Sequence, residues 1–156
     1  MAGVVADAVI VLVNLLCAQV RQFLSAKGEG GPMQFCPNFT SVDLDPTSWA
    51  HDREAEGYPV VAVADHISAP APHPHVWVTA TAFALATETT RVLTGYGNNL
   101  VRSPVEFAQA ALMLQQVSGG RAEAGLGAGW AADEITGIGR DFPQARDRAG
   151  SYIEAI

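Results

Sequence analysis

Cysteine is scarce in this chain: there are two, Cys17 and Cys36, and their spacing matches no metal or redox motif. That excludes a disulfide scaffold and a thiolate zinc site. The two are read as reduced thiols, with one disulfide between them as the alternative. Charge is also sparse, at 16% of residues, and what there is leans acidic, with nine Lys and Arg against sixteen Asp and Glu and a net charge of −7. Without a cluster of basic residues there is no nucleic-acid surface and no match to an anionic membrane. Long hydrophobic runs are missing too. The most apolar stretch, Val4 to Leu16, is broken by Asp7 and Asn14, and it is shorter than the about 20 apolar residues of a membrane span. It lacks the basic start and small-residue cleavage site of an export signal. We read 4–27 as an extra amphipathic or buried helix ended by Gly28, or as an irregular extension, and expect a cytoplasmic protein with no membrane partner.

What is present suits a sizeable core, since 49% of the 156 residues are hydrophobic. Gly28 to Pro32 reads as a linker, because clustered glycine with proline breaks regular elements. It separates an N-terminal extension, 1–32, from the body of the chain, 33–156. There the elements alternate. Met33 to Phe39 is a candidate strand. Asp45-Pro46 caps and opens a helix running to Glu56 and stopped by Gly57. Val60 to Ala64 is a continuous apolar run, the mark of a strand buried on both faces. After a loop holding Pro70, Pro72 and Pro74, His75 to Thr87 reads as a helix and Arg91 to Gly95 as a third strand. Ser103-Pro104-Val105-Glu106 is a capping box opening a helix that ends at Gly119-Gly120. Arg121 to Leu126 is a fourth strand and Gly127 to Trp130 a turn. Helical stretches follow near 131–138 and 143–156.

The order βαβαβαβα, at roughly 30 residues per unit, means parallel strands joined by crossover helices. An open doubly wound sheet and a TIM barrel both satisfy it. In either, function gathers just past the C-terminal ends of the strands. Three segments sit there: Asp65-His66, then Gly95 to Asn99, then Gly127 to Trp130. Together they suggest a cofactor cradle, in which glycines admit a ligand to the backbone and helix N-termini offer free N–H groups. His66 is a candidate acid, base or hydrogen-bonding group, since its imidazole titrates near neutrality. The plainer alternative has Asp65 capping a loop and His66 merely exposed. The Gly125-x-Gly127-x-Gly129 run lacks the third glycine of a dinucleotide fingerprint, because Trp130 occupies that place. His73 and His75 lack a third metal ligand and are read as loop residues, and no metal is expected. Trp49, Trp77 and Phe83 read as core.

The block RSPVEFAQAALMLQQVSGGRAEAGLGAGWAADEITGIG, 102–139, resembles the signature of luciferase-like flavin and deazaflavin oxidoreductases. Its marks are Arg102, Pro104, the SGGR turn of Ser118 to Arg121, the run Gly125 to Trp130, Glu134 and Gly137. Upstream, Trp49-Ala50, Glu54 to Tyr58 and Asp65-His66 are similar to the family's first helix and second strand end. The resemblance implies an α/β fold: parallel (β/α) units of a TIM barrel, here about half a barrel (β1–β4) with an extra N-terminal helix.

For the site, the resemblance implies His66 as the catalytic residue. Asp65, Gly95, Tyr96, Asn98, Gly129, Trp130 and Asp133 would contact the cofactor, with a non-proline cis peptide at Gly95-Tyr96. It implies an oxidoreductase transferring a hydride with coenzyme F420 to a small-molecule substrate. An FMN-dependent monooxygenase of the same fold is the alternative, and from another class an inactive half-barrel with a structural or assembly role. Open strand edges would favour a homo-oligomer.

Overall fold

A run such as Val60-Val61-Ala62-Val63 has no polar face to show to water, so both sides of its strand must be covered. The computed structural model covers both, and all four residues are buried. It describes residues 33–68, 71–127, 129, 131–142 and 152, which from 34 onward belong to one compact unit, Gln34–Ala155. The N-terminal helix and linker expected over 4–32, and all but Tyr152 of the stretch expected over 143–156, lie outside the described residues.

The described elements run β1 (Asn38–Phe39), α1 (Pro46–Ala55), β2 (Val60–Val63), α2 (Val76–Ala86), β3 (Arg91–Asn98), α3 (Pro104–Val117), β4 (Ala122–Gly127) and α4 (Ala132–Gly137). All three strand pairings are parallel. The sheet order is β1-β2-β3-β4. This order decides between the two architectures. A doubly wound sheet reverses direction at a switch point, whereas a barrel adds each new strand on the same side. The fold is therefore four consecutive (β/α) units of a TIM-barrel-like sheet.

Local chemistry explains the helix ends. The Asp45 carboxylate accepts hydrogen bonds from the Ser48 and Thr47 backbone N–H groups at 2.9 and 3.4 Å, ahead of Pro46 in the first turn of α1. Ser103 and Glu106 form the reciprocal capping box of α3. Gly57, Gly119 and Gly120 take positive φ where α1 and α3 end. The core under the helices is aromatic. Phe39, Trp49 and Phe83 meet pairwise at ring distances of 5.1–5.6 Å, and Trp77 packs edge-on to Phe107 at 5.3 Å. Of the three aromatics assigned to the core from sequence, Trp77 and Phe83 are buried, and Trp49 packs against Phe39 and Phe83 at its half-buried margin.

Two strands differ in length from expectation. The first pairs only over Asn38–Phe39, and Met33 and Phe35 stay exposed. The third continues through its glycines to Asn98 instead of stopping at Gly95. The ladder with β4 shifts register between Thr94 and Gly97. Glycine is needed on both sides of that irregularity. A Cβ on Gly97 would meet the Phe107 ring at 2.6 Å, and one on Gly125 would meet the Thr94 carbonyl and the Tyr96 ring at 2.5 Å. The first contact would push β3 away from α3, and the second would force β3 and β4 apart.

Candidate functional site

The C-terminal ends of β2, β3 and β4, with the start of α4, enclose a cavity of about 300 Å³. Its wall is made by Ala64, Asp65 and His66 from the first tip, Gly95 to Asn98 from the second, and Gly127, Gly129, Ala131 and Glu134 from the third. The volume falls at the small end of ligand sites, which run about 300–1,000 Å³. Of the residues singled out from sequence, Asp65, His66, Gly95, Tyr96, Asn98 and Gly129 line this cavity. Asp133 does not: it lies exposed on α4, one position before a fully buried neighbour. Trp130 lies outside the described residues. The Gly95–Tyr96 peptide is cis.

Asp65 is buried and its carboxylate is already engaged. It accepts a hydrogen bond from the Asn98 N–H at 2.9 Å and pairs with the guanidinium of Arg102. The pair ties the tip of β2 to the tip of β3 and to the residue before the α3 cap. Both partners are largely sheltered, with side-chain exposures of 12% for Arg102 and 4% for Asp65. Loss of either would strand a charge in a low-dielectric setting. Arg102 also reaches the His75 ring, 3.3 Å away, and His75 caps α2. His75 is thus part of the frame. The His73 ring lies tilted beside that of His66, with centroids 5.1 Å apart. Among the described residues no group of three His, Cys, Asp or Glu is arranged to hold a metal ion.

Asn98 turns its side chain back on the chain, accepting the Leu100 N–H at 3.0 Å. Gly129 approaches it so closely that a Cβ there would sit 3.2 Å from the Asn98 side-chain oxygen. Gly129 also takes a φ of 75°, a conformation that L side chains rarely adopt. Between β3 and β4 the wall is therefore bare backbone, apart from the Tyr96 phenol, which is 64% exposed. The glycine-lined backbone beside the Tyr96 ring suits a flat heteroaromatic ligand. His66 stands beside this wall as a polar group for the ligand's hydrogen-bonding edge.

His66 stands with its Nδ1 3.2 Å from Oε2 of Glu134. The Glu134 side chain is fully buried, while that of His66 is 21% exposed. The other Glu134 oxygen accepts the N–H groups of Ile67 and, at 3.0 Å, Ser68. Burial pushes the Glu134 carboxyl upward, but the hydrogen bonds from Ile67, Ser68 and His66 outweigh it and hold the group below its ordinary value. Sequence reasoning gave Glu134 a place in the motif but no role at the site. The sequence carried no signal for it, because Asp133 and Glu134 are adjacent carboxylates and only the burial of Ala131 and Ile135 in the fold shows which of them faces inward.

Comparison with known proteins agrees with this geometry. The family model described as luciferase-like monooxygenase matches residues 46–156. No curated protein matches the chain. Among solved structures, the coenzyme F420 dependent tetrahydromethanopterin reductase from Methanopyrus kandleri is 27% identical, with a TM-score of 0.61 over 72% of this chain and 32% of that one. The monooxygenase RslO1 from Streptomyces bottropensis is 23% identical, with a TM-score of 0.70 over 79% and 41%. The oxygenating constituent of 3,6-diketocamphane monooxygenase from Pseudomonas putida, in complex with FMN, is 18% identical, with a TM-score of 0.68 over 80% and 38%. The chain spans about a third to two fifths of the length of these proteins.

Proposed function

This chain belongs to the luciferase-like monooxygenase family, and on that premise we propose that it serves a two-electron oxidoreductase using the deazaflavin coenzyme F420 on a small-molecule substrate. The observation that carries the reading is the convergence of three strand tips on one glycine-walled cavity that also holds His66. F420 is favoured over FMN because the 27% identical neighbour is F420 dependent, whereas the neighbour in complex with FMN is 18% identical. The adjacent residues Asp65-His66, similar to the deazaflavin branch, point the same way.

When bound, the coenzyme supplies a hydride on its deazaflavin ring. The residues here do the rest. The backbone of Gly95 to Asn98, Gly127 and Gly129 offers a wall for the ring. Asp65 and Arg102 keep the first two tips in register. His66 holds or moves a proton at an imidazole nitrogen, the ordinary contribution of an acid–base residue near neutral pH. No described helix is long and apolar enough to cross a membrane. The reading includes a cytoplasmic setting, no nucleic-acid partner and association of copies through open strand edges.

Two titrations test it. Purified chain is mixed with F420 and, separately, with FMN, and binding is followed by coenzyme fluorescence and by oxygen uptake after reduction. Retention of reduced F420 without oxygen uptake is the expected result. Oxygen uptake with bound FMN would give the site to a monooxygenase, and failure to bind either would leave a structural half-barrel. In a relative of full length, replacing the counterpart of His66 by alanine is expected to cut turnover at least about tenfold.

A further inference from the structure

An ionised carboxylate can only accept hydrogen bonds, so whichever nitrogen faces it must carry the proton. Glu134 faces His66 Nδ1 with one oxygen and two backbone N–H groups with the other. It comes from α4, while all three of its partners lie at the end of β2. The side chain has no exposed surface. We propose that Glu134 is a positioning residue: it fixes His66 as the Nδ1–H tautomer and locks the backbone behind it, so that Nε2 is the nitrogen with the lone pair.

This rests on the reading that His66 works at the reacting centre, and it specifies how. A ring whose Nδ1–H is committed to a buried carboxylate has its plane fixed. Its Nε2 is the basic nitrogen, suited to a ligand or substrate that presents an O–H or N–H donor there. A proton taken up at Nε2 makes an imidazolium that Glu134 stabilises without itself being protonated, in the manner of hydrogen-bonded outer-shell carboxylates elsewhere. The same carboxylate closes the loop after β2 through Ile67 and Ser68. A change at α4 therefore reaches His66 in two ways, through ring orientation and through backbone placement.

The test reads the tautomer directly and needs no coenzyme. The full chain is labelled with ¹⁵N-histidine, and long-range ¹H–¹⁵N correlations are recorded at about pH 8, above the ordinary histidine range. His66→Ala assigns the signal among the four histidines. The expected result is a neutral His66 ring protonated at Nδ1, the form that free histidine disfavours. In Glu134→Gln the single remaining oxygen is claimed by the Ile67 and Ser68 N–H groups, so the new NH₂ faces the ring. The tautomer should then invert to Nε2–H. An Nε2–H ring or an imidazolium in the unaltered protein would overturn the proposal even if the variant fails to fold. So would an Nδ1–H ring that survives Glu134→Gln. Titrating F420 and FMN into the same sample separates the two claims. Binding with the wrong tautomer removes the role of Glu134 alone, and the right tautomer with no binding removes the coenzyme reading alone.

Discussion

The two ends of the sheet use the same chemistry for different ends. At the N-terminal ends of the strands, Glu54 of α1 accepts the N–H groups of Glu88, Thr89 and Thr90 and the Thr89 hydroxyl, at 2.7–3.1 Å. Beside it, Arg121 donates to the carbonyls of Ala84, Thr87 and Thr90 and to the Thr87 hydroxyl, at 2.6–2.8 Å. Every one of these bonds terminates on a loop or helix end, and a cationic group at the end of α2 is also favoured by the helix dipole. At the C-terminal ends, Asp65 and Glu134 staple backbone in the same way, but their staples surround a cavity and leave an imidazole at its edge. A charged residue in a strand-end loop is therefore no sign of function by its type. What marks the functional end is the space the staples enclose.

The largest effect that would sharpen this comparison is at the cavity end. Asp65→Ala leaves Arg102 sheltered without its partner and the Asn98 N–H without its acceptor. We expect a loss of about 3–5 kcal/mol in urea unfolding, the usual cost of breaking a buried pair from one side. At the other end, Arg121→Met removes donors to four acceptors and should cost about 2–3 kcal/mol, while leaving coenzyme affinity unchanged in the folded fraction. Loss of affinity there would break the division between the two ends.

The same substitution at two glycines gives a finer contrast. Gly125→Ala would drive a methyl into the Thr94 carbonyl and the Tyr96 ring, at about 1–3 kcal/mol as an overpacking change, and should weaken ligand binding by displacing Tyr96. Gly57→Ala meets nothing within 4 Å but sits at a φ of 87°, so it should cost about 1 kcal/mol from backbone conformation alone and leave binding intact. Calorimetry with and without ligand separates the two.

The smallest effect is in the acid limb of stability. Burial raises the Glu54 carboxyl, but hydrogen bonds from Thr89, Thr90 and Glu88 bring it from 4.5 down to about 2. Because the folded value is the lower one, the contribution of Glu54 is fully present above its ordinary value and is lost as the pH falls from there toward about 2. Glu54→Gln should thus flatten the fall in urea midpoint between about pH 5 and about pH 3 relative to the unaltered protein. An unchanged slope would show that Glu54 does not hold the loop.

Much of the frame was readable because it is local. The box at Ser103-Pro104-Val105-Glu106 fixes the start of α3 to the residue, and the unbroken apolar run Val60 to Ala64 reads as a doubly covered strand, which the structure forms over Val60–Val63. The length of β3 was not readable. Gly95 and Gly97 look like strand breakers, and only the Phe107 ring and the β4 backbone, both distant in sequence, show why the strand needs a glycine at 97. The site divides in the same way. Asp65, His66 and the glycine tips are visible from their place after strands. The link from His66 to Glu134 spans 68 positions, and no spacing rule reaches that far. The exposed position of Asp133 and the buried one of Glu134 are told apart only by the rotation of one short helix.

The central claim is that the three strand tips bind one ring-shaped ligand, and the most direct measurement is amide chemical-shift mapping of the chain as F420, or FMN, is added. The account predicts shifts confined to Asp65-His66, Gly95 to Asn98 and Gly127 to Gly129, with Thr89, Thr90 and Arg121 unmoved. Shifts centred on the opposite end of the sheet, or scattered over both, would contradict it.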